Sequence, residues 1–536
     1  MLDEKLDMRA SNDGVTKVNS DKRATDITST SSTATVATNN NEEPQNASEL
    51  GESQKSTPTG FQDIQAAQNA LAEKYGVRDT RLQWKIDICV VPALILLYFA
   101  AFLDRINISN ARLYGMEADL GLHGNQYNVA LTVFFVPYVF FELLANYLAK
   151  LFKPHWCFSI SIFVFGCATI GCGFVKNYGG LVTARVFLGA AEAATFGLIF
   201  YILSSYYTPR QAQKRFSFFF SSTTLAGAAG GSIAYQIHQG IHNSHIALWR
   251  WIFITEGAAT VFIAILLFFI TPDFPETAKF LKPNEKSYLK EKLKLYSQVE
   301  SGFEVQFSWR DYLPLFKDLI FYANALSYLG LVVPGYGYAY FSATIVKVLG
   351  YTAVSAQQHS IYPWLAAFGY INITAFLSDY FRNRWCFIMS SCFIAIAGLA
   401  MILGSEQPHV RYGGCFLSCL GLYSAMPTLI CSTSLNLGGH LRKSFGTGFQ
   451  IGFGNIGGII ATFLFLQKDS PYYYSGLGTC IGFVGLSIAC QIFIVLHLNR
   501  LNNTKITPSY ATRFEALPPR EQVLKGDLAP DFKYML

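Results

Sequence analysis

Twelve apolar segments, each about 20 residues long or longer, occupy most of the sequence after residue 86. An α-helix of roughly 20 apolar residues crosses a hydrocarbon core about 30 Å thick, so each segment is long enough to span a bilayer. Inside a bilayer the backbone must satisfy its own hydrogen bonds, which favours helices. The sequence therefore predicts an all-α membrane protein with twelve transmembrane helices. The segments are 87–111, 126–150, 156–175, 181–206, 216–240, 250–271, 319–347, 356–380, 385–404, 411–435, 444–466 and 476–499.

The composition excludes a soluble protein. Hydrophobic residues make up 51% of the 536 residues and charged residues only 14%, against the roughly 25% that soluble domains carry. The net charge of +6 comes mostly from residues between the apolar segments, which fits membrane topology better than a nucleic-acid surface. We therefore expect a lipid bilayer as partner and no nucleic acid. No nucleophile, base and orienting group stand at a recognisable spacing, so we also expect no enzymatic activity.

The polar stretches predict the division of the chain. We expect a disordered cytoplasmic N-terminal tail, a six-helix half, a cytoplasmic linker, a second six-helix half and a cytoplasmic C-terminal tail. Lysines and arginines such as Lys150, Lys214 and Lys443 concentrate on one side of the predicted membrane, which places both termini in the cytoplasm. A linker at the midpoint indicates the parallel-repeat architecture of the major facilitator fold. The predicted boundaries are 1–80, 81–272, 273–317, 318–499 and 500–536.

Charged residues inside the fourth apolar segment are candidates for transport chemistry. A charge in a transmembrane helix costs about 2.5 kcal/mol or more and so needs a reason. Arg185 and Glu192 are nearly two helical turns apart and project from one face. An arginine can hold a carboxylate with two parallel hydrogen bonds, and a buried glutamate can take up a proton. The pair predicts a site for an anion carried with a proton; a purely structural salt bridge is the alternative.

Other intramembrane charges lie on the first, second and sixth segments. Asp104 and Arg105 share one turn, so they either neutralise each other or leave Arg105 to form an electropositive pocket with Arg185. Glu142 and Asn146 are spaced i, i+4, which favours a gate or an interhelical bond. Glu256 follows two tryptophans and an arginine, which is typical of an interfacial anchor or a salt bridge.

The seventh segment is rich in tyrosine, proline and glycine. Pro334 and its neighbouring glycines predict a broken or bending helix. Tyr336, Tyr338 and Tyr340 offer flat apolar faces with polar tips, suited either to a cavity for a ring-bearing solute or to an interfacial belt. His359 begins the eighth segment, as a polar group of the pore or as part of a helix terminus.

Two patterns are predicted not to carry their usual function. Gly452, Gly454 and Gly457 match a dinucleotide fingerprint, but no strand precedes them, so close helix packing explains them better. His238 and its two neighbouring histidines lie in a short loop without cysteine or carboxylate partners, so we expect no metal site.

Several motifs together resemble the anion:cation symporter branch of the major facilitator superfamily, specifically the fungal allantoate permease group. This resemblance covers the whole membrane domain. It implies proton-coupled uptake of an organic anion, with Arg105 and Arg185 binding substrate and Glu192, with Asp104, coupling protons. The matching stretches are Leu103 to Ala111, Gly115-Met116, Asp119-Leu120, Arg185 to Glu192, Trp249 to Gly257, Pro272 to Thr277 and Asn455 to Gly457.

The superfamily's loop signature is recognisable after the eighth segment, where Asp379 and Arg382 are its charged members. Here Ala375 replaces the signature's glycine and Tyr380 an arginine. We expect Asp379 and Arg382, like Glu142 and Asn146, to serve gating or structure. The group's E-x-P-S-N pattern also departs from this sequence, which reads Glu142 to Asn146 without its proline and serine.

In overall length, in its tail and in the pattern of its helices, the chain most resembles the nicotinic acid permeases within that group. We therefore expect proton-coupled uptake of nicotinate across the plasma membrane by alternating access, in a monomer with protons as coupling ion and no cofactor. The proposed site residues are Arg105, Arg185, Tyr336, Tyr338, Tyr340 and His359 for substrate, and Glu192 and Asp104 for protons. Pantothenate, biotin and allantoate are alternative substrates, and a nutrient sensor that does not transport is the alternative class.

Overall fold

A computed structural model describes most of the chain. The predicted disordered tail before residue 61 and Arg382 of the loop signature lie outside the described residues, and the side chain of Asn146 is not described either. The described residues are 61–148, 154–241, 245–271, 273–301, 309–381, 383–466, 469–470, 472–530 and 532–535.

The described residues form helices joined by short connections. In chain order the helices are α1 (Phe61–Tyr75), α2 (Asp79–Leu113), α3 (Met116–Asp119), α4 (Gln126–Leu148), α5 (Pro154–Phe174), α6 (Tyr178–Tyr206), α7 (Pro209–Phe220), α8 (Ser222–Gly240), α9 (Leu248–Ile270), α10 (Pro283–Ser301), α11 (Trp309–Tyr312), α12 (Leu319–Val348), α13 (Ala353–Phe381), α14 (Arg384–Gly404), α15 (Pro408–Asn436), α16 (His440–Thr462), α17 (Tyr474–Lys505), α18 (Pro508–Glu515) and α19 (Pro519–Lys525).

Nine of these helices are long and apolar enough to cross a membrane, counted over the part of the chain that the structure describes: α2, α5, α6, α9, α12, α13, α14, α15 and α17. Helix α4, the α7–α8 pair and α16 occupy the other three predicted spans. Large apolar side chains such as Phe140, Phe262 and Phe376 are exposed on the outside of the bundle, as a lipid-facing surface requires. The prediction of an all-α membrane protein is confirmed.

Small residues bring the helices of each half close together. A Cβ atom on Gly257 of α9 would lie 2.9 Å from the carbonyl oxygen of Gly166 of α5. Without a hydrophobic driving force between helices in lipid, such close backbone packing stabilises their association. In the second half, α14 packs on α15, and α12 packs on α16 and α17.

Among the described residues, the helix pairs that join the two halves include α8 with α13, α4 with α16, α2 with α12, α7 with α15 and α7 with α13. A Cβ atom on Gly458 of α16 would come within 2.2 Å of the Phe135 ring of α4, so only glycine fits there. This glycine belongs to the stretch with the dinucleotide-like pattern. That stretch lies in a helix, and Gly454 packs in the same way against the ring of Tyr328.

Two local features differ from the sequence-based expectations. A broken or bending helix was expected around Pro334; helix α12 runs unbroken through it for 30 residues, which excludes the break. The Tyr423 hydroxyl donates to the Gly335 carbonyl oxygen at 3.1 Å. Helix α1 lies within the segment predicted as a disordered tail. The Tyr75 hydroxyl at its end donates to Glu291 of α10 at 2.5 Å, which helps to fix α1 on the linker helix.

We call the end of the bundle that carries α1, α10 and α18 the tail side, and the opposite end the far side. On the tail side, the buried Lys292 of α10 pairs with Asp79 at 2.5 Å. The C-terminal segment packs under the second half, where Asp527 accepts a hydrogen bond from Arg442 and another from the Tyr534 hydroxyl at 2.8 Å. The linker and the C-terminal segment are therefore each held by a buried ion pair.

Candidate functional site

A cavity lies between the halves, and its open interior of about 30 Å³ has room for about one water molecule. Aromatic side chains from both halves form most of its wall, and Arg105 is its one charged residue among the lining side chains that the structure describes. The lining residues are Tyr98, Phe102, Arg105, Tyr138, Phe196, Phe220, Thr223, Tyr328, Val332, Gly335, Tyr336, Tyr423, Met426, Ile451 and Asn455.

Arg105 lines this cavity and is only 4% exposed. Its guanidinium donates one hydrogen bond to Glu192 of α6 and another to the Tyr336 hydroxyl of α12. The guanidinium carbon also lies 5.2 Å from the Phe134 ring centroid and 5.1 Å from that of Tyr138. An arginine from one half is thereby held between a carboxylate of the same half and a hydroxyl of the other.

Helical spacing explains why these side chains converge. Tyr98, Phe102 and Arg105 follow each other at intervals of four and three residues, so they share one face of α2. Phe134 and Tyr138 are one turn apart on α4, so both reach the same guanidinium. Helices α2 and α4 therefore each present one face to Arg105 and the cavity.

Arg185 occupies a different environment from Arg105. It is 1% exposed, donates to the Asn107 side-chain oxygen at 3.0 Å, and lies 5.8 Å from the Phe253 ring centroid. It forms no ion pair with a carboxylate among the described residues, and its Nε has no hydrogen-bond partner there. Arg185 does not line the cavity, so the structure does not join the two arginines in one pocket.

Asp104 faces away from the cavity although it precedes Arg105 in the chain. Both of its carboxylate oxygens are buried without a hydrogen-bond partner in the described part of the chain. The hydroxyls of Thr169 on α5 and Thr260 on α9 lie close to it. The charge of Arg105 is therefore balanced by Glu192 on another helix, and not by its chain neighbour Asp104.

Glu256 is the residue whose interpretation changes most. The sequence favours an interfacial anchor or a salt bridge, but the side chain is completely buried within the first half. Neither carboxylate oxygen has a hydrogen-bond partner among the described residues. The two tryptophans and the arginine before it suggested a membrane interface, yet Glu256 lies two turns deeper along α9.

The three predicted tyrosines of α12 do not act as one group. Tyr336 and Tyr340 stack with ring centroids 5.9 Å apart and share one face, since they are four residues apart. Tyr338 points to another face, where its ring centroid lies 5.4 Å from that of Trp364 on α13. Of the three, only Tyr336 lines the cavity.

The predicted gating residues lie outside the centre of the site. Glu142 accepts a hydrogen bond from Asn455 of α16 at 3.2 Å, which links the two halves. Asp379 pairs with Arg384 at the tail-side junction of α13 and α14. His359 lies against Tyr351, with ring centroids 4.3 Å apart, and its Nδ1 is 2.8 Å from the Ser355 carbonyl oxygen. The structure therefore places His359 near the far side, away from the cavity lining.

Comparison with known proteins decides the family. The family model described as Major Facilitator Superfamily matches residues 94–462. The chain belongs to the Major Facilitator Superfamily. It is a multi-pass membrane transporter of small solutes and not an enzyme.

Two fungal transporters are among the relatives of this chain. The high-affinity nicotinic acid transporter of Saccharomyces cerevisiae is 29% identical over 538 residues, covering 100% of this chain and 98% of that protein. The major facilitator-type transporter hxnP of Emericella nidulans is 28% identical over 487 residues, or 87% and 94% of the two chains.

Solved structures share the fold of this transporter at low sequence identity. The proton:xylose symporter XylE bound to 6-bromo-6-deoxy-D-glucose aligns with a TM-score of 0.63 at 12% identity, covering 78% of this chain and 96% of that one. A bacterial homologue of the lysosomal transporter Spinster, inward-facing and occupied, aligns with a TM-score of 0.55 at 15% identity, covering 76% and 95%. These likenesses confirm the major facilitator fold.

Sequence reasoning missed part of the aromatic wall of this transporter. Phe102 and Tyr138 carry a detectable signal, because each lies one helical turn from a charged residue already singled out, Arg105 and Glu142 respectively. Tyr423 carries no such signal. It lies in an apolar stretch of α15 and reaches the cavity through tertiary packing alone.

Proposed function

We propose that this transporter carries a small organic anion, nicotinate first among the candidates, into the cell together with protons. The observation that carries this proposal is the buried Arg105 guanidinium between the halves, surrounded by aromatic rings. Arginine remains charged when buried and presents a fork that matches a carboxylate. A planar ring bearing a carboxylate fits both the fork and the aromatic wall.

Glu192 links anion binding to a proton. In the structure it accepts a hydrogen bond from Arg105, the same group that an incoming carboxylate needs. When the substrate carboxylate takes over these hydrogen bonds, the displaced Glu192 carboxylate is buried beside a second anion, and it takes up a proton to become neutral. The anion and the proton then bind cooperatively, because each favours the other.

Tyr336 links binding to movement of the halves. Its hydroxyl is contributed by α12 and accepts from Arg105 of α2, so this hydrogen bond forms only when the two halves are close. A substrate bound between Arg105 and Tyr336 would replace this contact and shift the balance between conformations open to opposite sides. In this proposal the tail side is cytoplasmic and the membrane is the plasma membrane.

The relatives support nicotinate over other carboxylates. The Saccharomyces cerevisiae protein named as a high-affinity nicotinic acid transporter aligns over the full length of this chain. The aromatic lining supplies faces on which a pyridine ring can stack, whereas allantoate has no aromatic ring. Pantothenate, biotin and allantoate remain the competing substrates.

The test is uptake of labelled nicotinate by cells that lack their own permease and express this chain. Uptake is measured at acidic and neutral external pH, with and without a protonophore. We expect saturable uptake that rises in acid and collapses with the protonophore. Unlabelled nicotinamide, which has an amide in place of the carboxylate, should compete poorly.

Other outcomes identify which part of the proposal fails. Uptake that ignores both pH and the protonophore would contradict proton coupling. Surface-located protein that takes up pantothenate, biotin or allantoate instead would remove nicotinate but keep anion transport. Surface-located protein that transports none of the four would favour the nutrient-sensor alternative.

A further inference from the structure

A further arginine lies on α2, two helical turns beyond Arg105 toward the far side. Arg112 follows Arg105 by seven residues, so both side chains project from nearly the same face, about 10 Å apart along the helix axis. The side chain of Arg112 is 11% exposed, and its Nε pairs with Glu117 at 2.9 Å. Its Nη1 is buried and has no hydrogen-bond partner among the described residues. Arg112 therefore keeps a donor that its pairing with Glu117 does not use.

The surroundings of Arg112 repeat those of Arg105. Its guanidinium carbon lies 4.3 Å from the Tyr127 ring centroid of α4 and 5.8 Å from the Phe341 ring centroid of α12. Tyr127 precedes Phe134, a ring at Arg105, by seven residues, so the aromatic face of α4 repeats with the same two-turn spacing. Each of the two arginines thus contacts a carboxylate of the first half, a ring of α4 and a ring of α12.

The Tyr127 hydroxyl is a second donor without a partner at this guanidinium. Tyr127 is 2% exposed, and its hydroxyl has no hydrogen-bond partner in the described part of the chain. Buried polar groups are normally hydrogen-bonded, so two open donors on neighbouring side chains need an explanation. A carboxylate supplies what both donors lack, because each of its oxygens accepts hydrogen bonds.

The position of Phe341 explains how an anion would reach Arg112. Phe341 is completely buried, and its ring stacks on that of Phe465 with centroids 4.7 Å apart. Both phenylalanines belong to the second half, whereas Arg112 and Tyr127 belong to the first. Separation of the halves on the far side therefore takes Phe341 away from the guanidinium and opens Arg112 to that side, before the path reaches Arg105.

We propose that Arg112 and Tyr127 form an outer carboxylate-binding site, which a substrate anion occupies before it moves two turns inward to Arg105. Glu117 is a positioning residue, because it holds Nε and leaves Nη1 free. A cation in a cleft with walls of low dielectric constant concentrates anions there and speeds their binding. This inference rests on the proposed uptake of a carboxylate for its direction, but the binding itself can be measured without transport.

The first experiment compares the KM and the maximal rate of nicotinate uptake. Arg112→Gln should raise KM about tenfold and leave the maximal rate nearly unchanged, because the outer site acts on capture of the anion. Arg112→Lys, which keeps the charge, should recover most of this loss. Glu117→Gln should lower KM, since it removes a neighbouring negative charge while its amide oxygen can still accept from Nε.

A matched control is Arg250→Gln on the far side. Arg250 pairs with Asp119 at 3.0 Å and donates to two backbone carbonyl oxygens at the end of α5, so its removal should leave KM unchanged. If Arg112 and Glu117 formed only a structural salt bridge, Arg112→Gln and Glu117→Gln would reduce uptake alike, which would overturn the proposal. An Arg112→Gln protein with a lower maximal rate and an unchanged KM would overturn it too, since that result indicates a gate.

The second experiment measures binding to the purified full-length transporter in lipid by saturation-transfer NMR. The probe is benzoate, a carboxylate on an aromatic ring, and benzyl alcohol is the control without a charge. Arg105→Gln should retain part of the benzoate signal, and the further substitution Arg112→Gln should remove it. Loss of the whole signal in Arg105→Gln, or its persistence in the double variant, would overturn the outer site. Benzoate binding that depends on Arg112, together with failed uptake of all four candidate substrates, would remove the proposed function and keep the site.

Discussion

The two six-helix halves share one architecture but differ in the polar groups that they bury. In the first half the membrane interior contains buried carboxylates and guanidiniums, namely those of Asp104, Arg105, Glu142, Arg185, Glu192 and Glu256. In the second half, the buried polar groups along the described helices include amides and hydroxyls, such as Asn324, Gln357, Ser424 and Asn455. Charged side chains that are buried there, such as Arg411 and Arg442, lie near helix ends.

This difference separates two tasks. A charge buried in a membrane must be balanced by a neighbour, so ion and proton chemistry is easiest within one rigid half. The second half instead presents the Tyr336 hydroxyl and the Asn455 amide, each of which contacts a charged residue of the first half. Because the second half contributes neutral groups to these contacts, they can break and form again during alternating access without leaving an unpaired charge in the second half.

The largest expected effect on uptake comes from comparing a buried arginine of the first half, Arg105, with one of the second half, Arg411. Arg105→Gln removes the charge that balances Glu192 and binds the substrate carboxylate, so uptake should fall about a thousandfold, which corresponds to roughly 4 kcal/mol. Arg411→Gln is the matched control, because Arg411 donates to the Ile402 carbonyl oxygen at 3.1 Å and stacks on Tyr472 near the far side. The measurement is the initial rate of uptake per molecule at the cell surface.

For Arg411→Gln we expect less than a tenfold loss, since one hydrogen bond to a neutral group contributes about 1 kcal/mol. If both substitutions reduced uptake equally while the proteins remained folded, the charge of the first half would have no special role. The comparison between the halves would then fail.

The next effect concerns two buried cations on the tail side, one on the linker helix α10 and one in the second half, which are paired differently. Lys292 has Asp79 as its carboxylate partner, whereas Arg442 has both Asp527 and Asp318. Asp79→Ala should therefore lower the free energy of unfolding by about 3 kcal/mol, because it leaves a buried charge unpaired. Asp527→Ala should lower it by about half as much, because Asp318 remains. Thermal unfolding of the purified proteins measures both.

The loss in the free energy of unfolding caused by Asp79→Ala should depend on pH. Burial lowers the pKa of Lys292 below its ordinary value of 10.5, and Asp79 opposes that shift. Between the lowered folded-state pKa and 10.5 the unfolded chain binds more protons, so stability rises with pH across this window. Adding Lys292→Met to Asp79→Ala should restore stability at neutral pH. If the double variant remained as unstable as Asp79→Ala, the unpaired lysine would be excluded as the cause of the lost stability.

Much of the fold follows from the sequence because lipid leaves few alternatives. Apolar segments long enough to span a bilayer must be helical, and their number and spacing lead to the two halves. The packing of helix α1 on α10 could not be predicted, because it depends on Glu291, more than 200 residues away. The sequence could not decide between a break and a continuous course of α12 at Pro334, since neighbouring helices in a membrane re-satisfy freed backbone groups.

The buried charges near the candidate site were predictable from the sequence, but their pairing and part of the aromatic wall were not. Helical spacing identified Arg105, Arg185 and Glu192 as buried charges, and all three are buried. Which carboxylate serves which arginine depends on how α2 rotates against α6 and α9, and no pattern within one helix encodes that rotation. For the same reason the isolation of Glu256 from any cation in the described structure could not be seen in the sequence.

The smallest expected effect tests what the second half contributes. Tyr336→Phe removes the hydroxyl that accepts from Arg105 but keeps the ring, so it should change uptake about fivefold, in line with the roughly 1 kcal/mol of one hydrogen bond. Tyr340→Phe is the control, because Tyr340 stacks on Tyr336 without lining the cavity. If Tyr336 only closes the cavity, the loss appears in the maximal rate; if it also holds substrate, KM rises. Equal behaviour of the two variants would mean that the second half supplies shape alone.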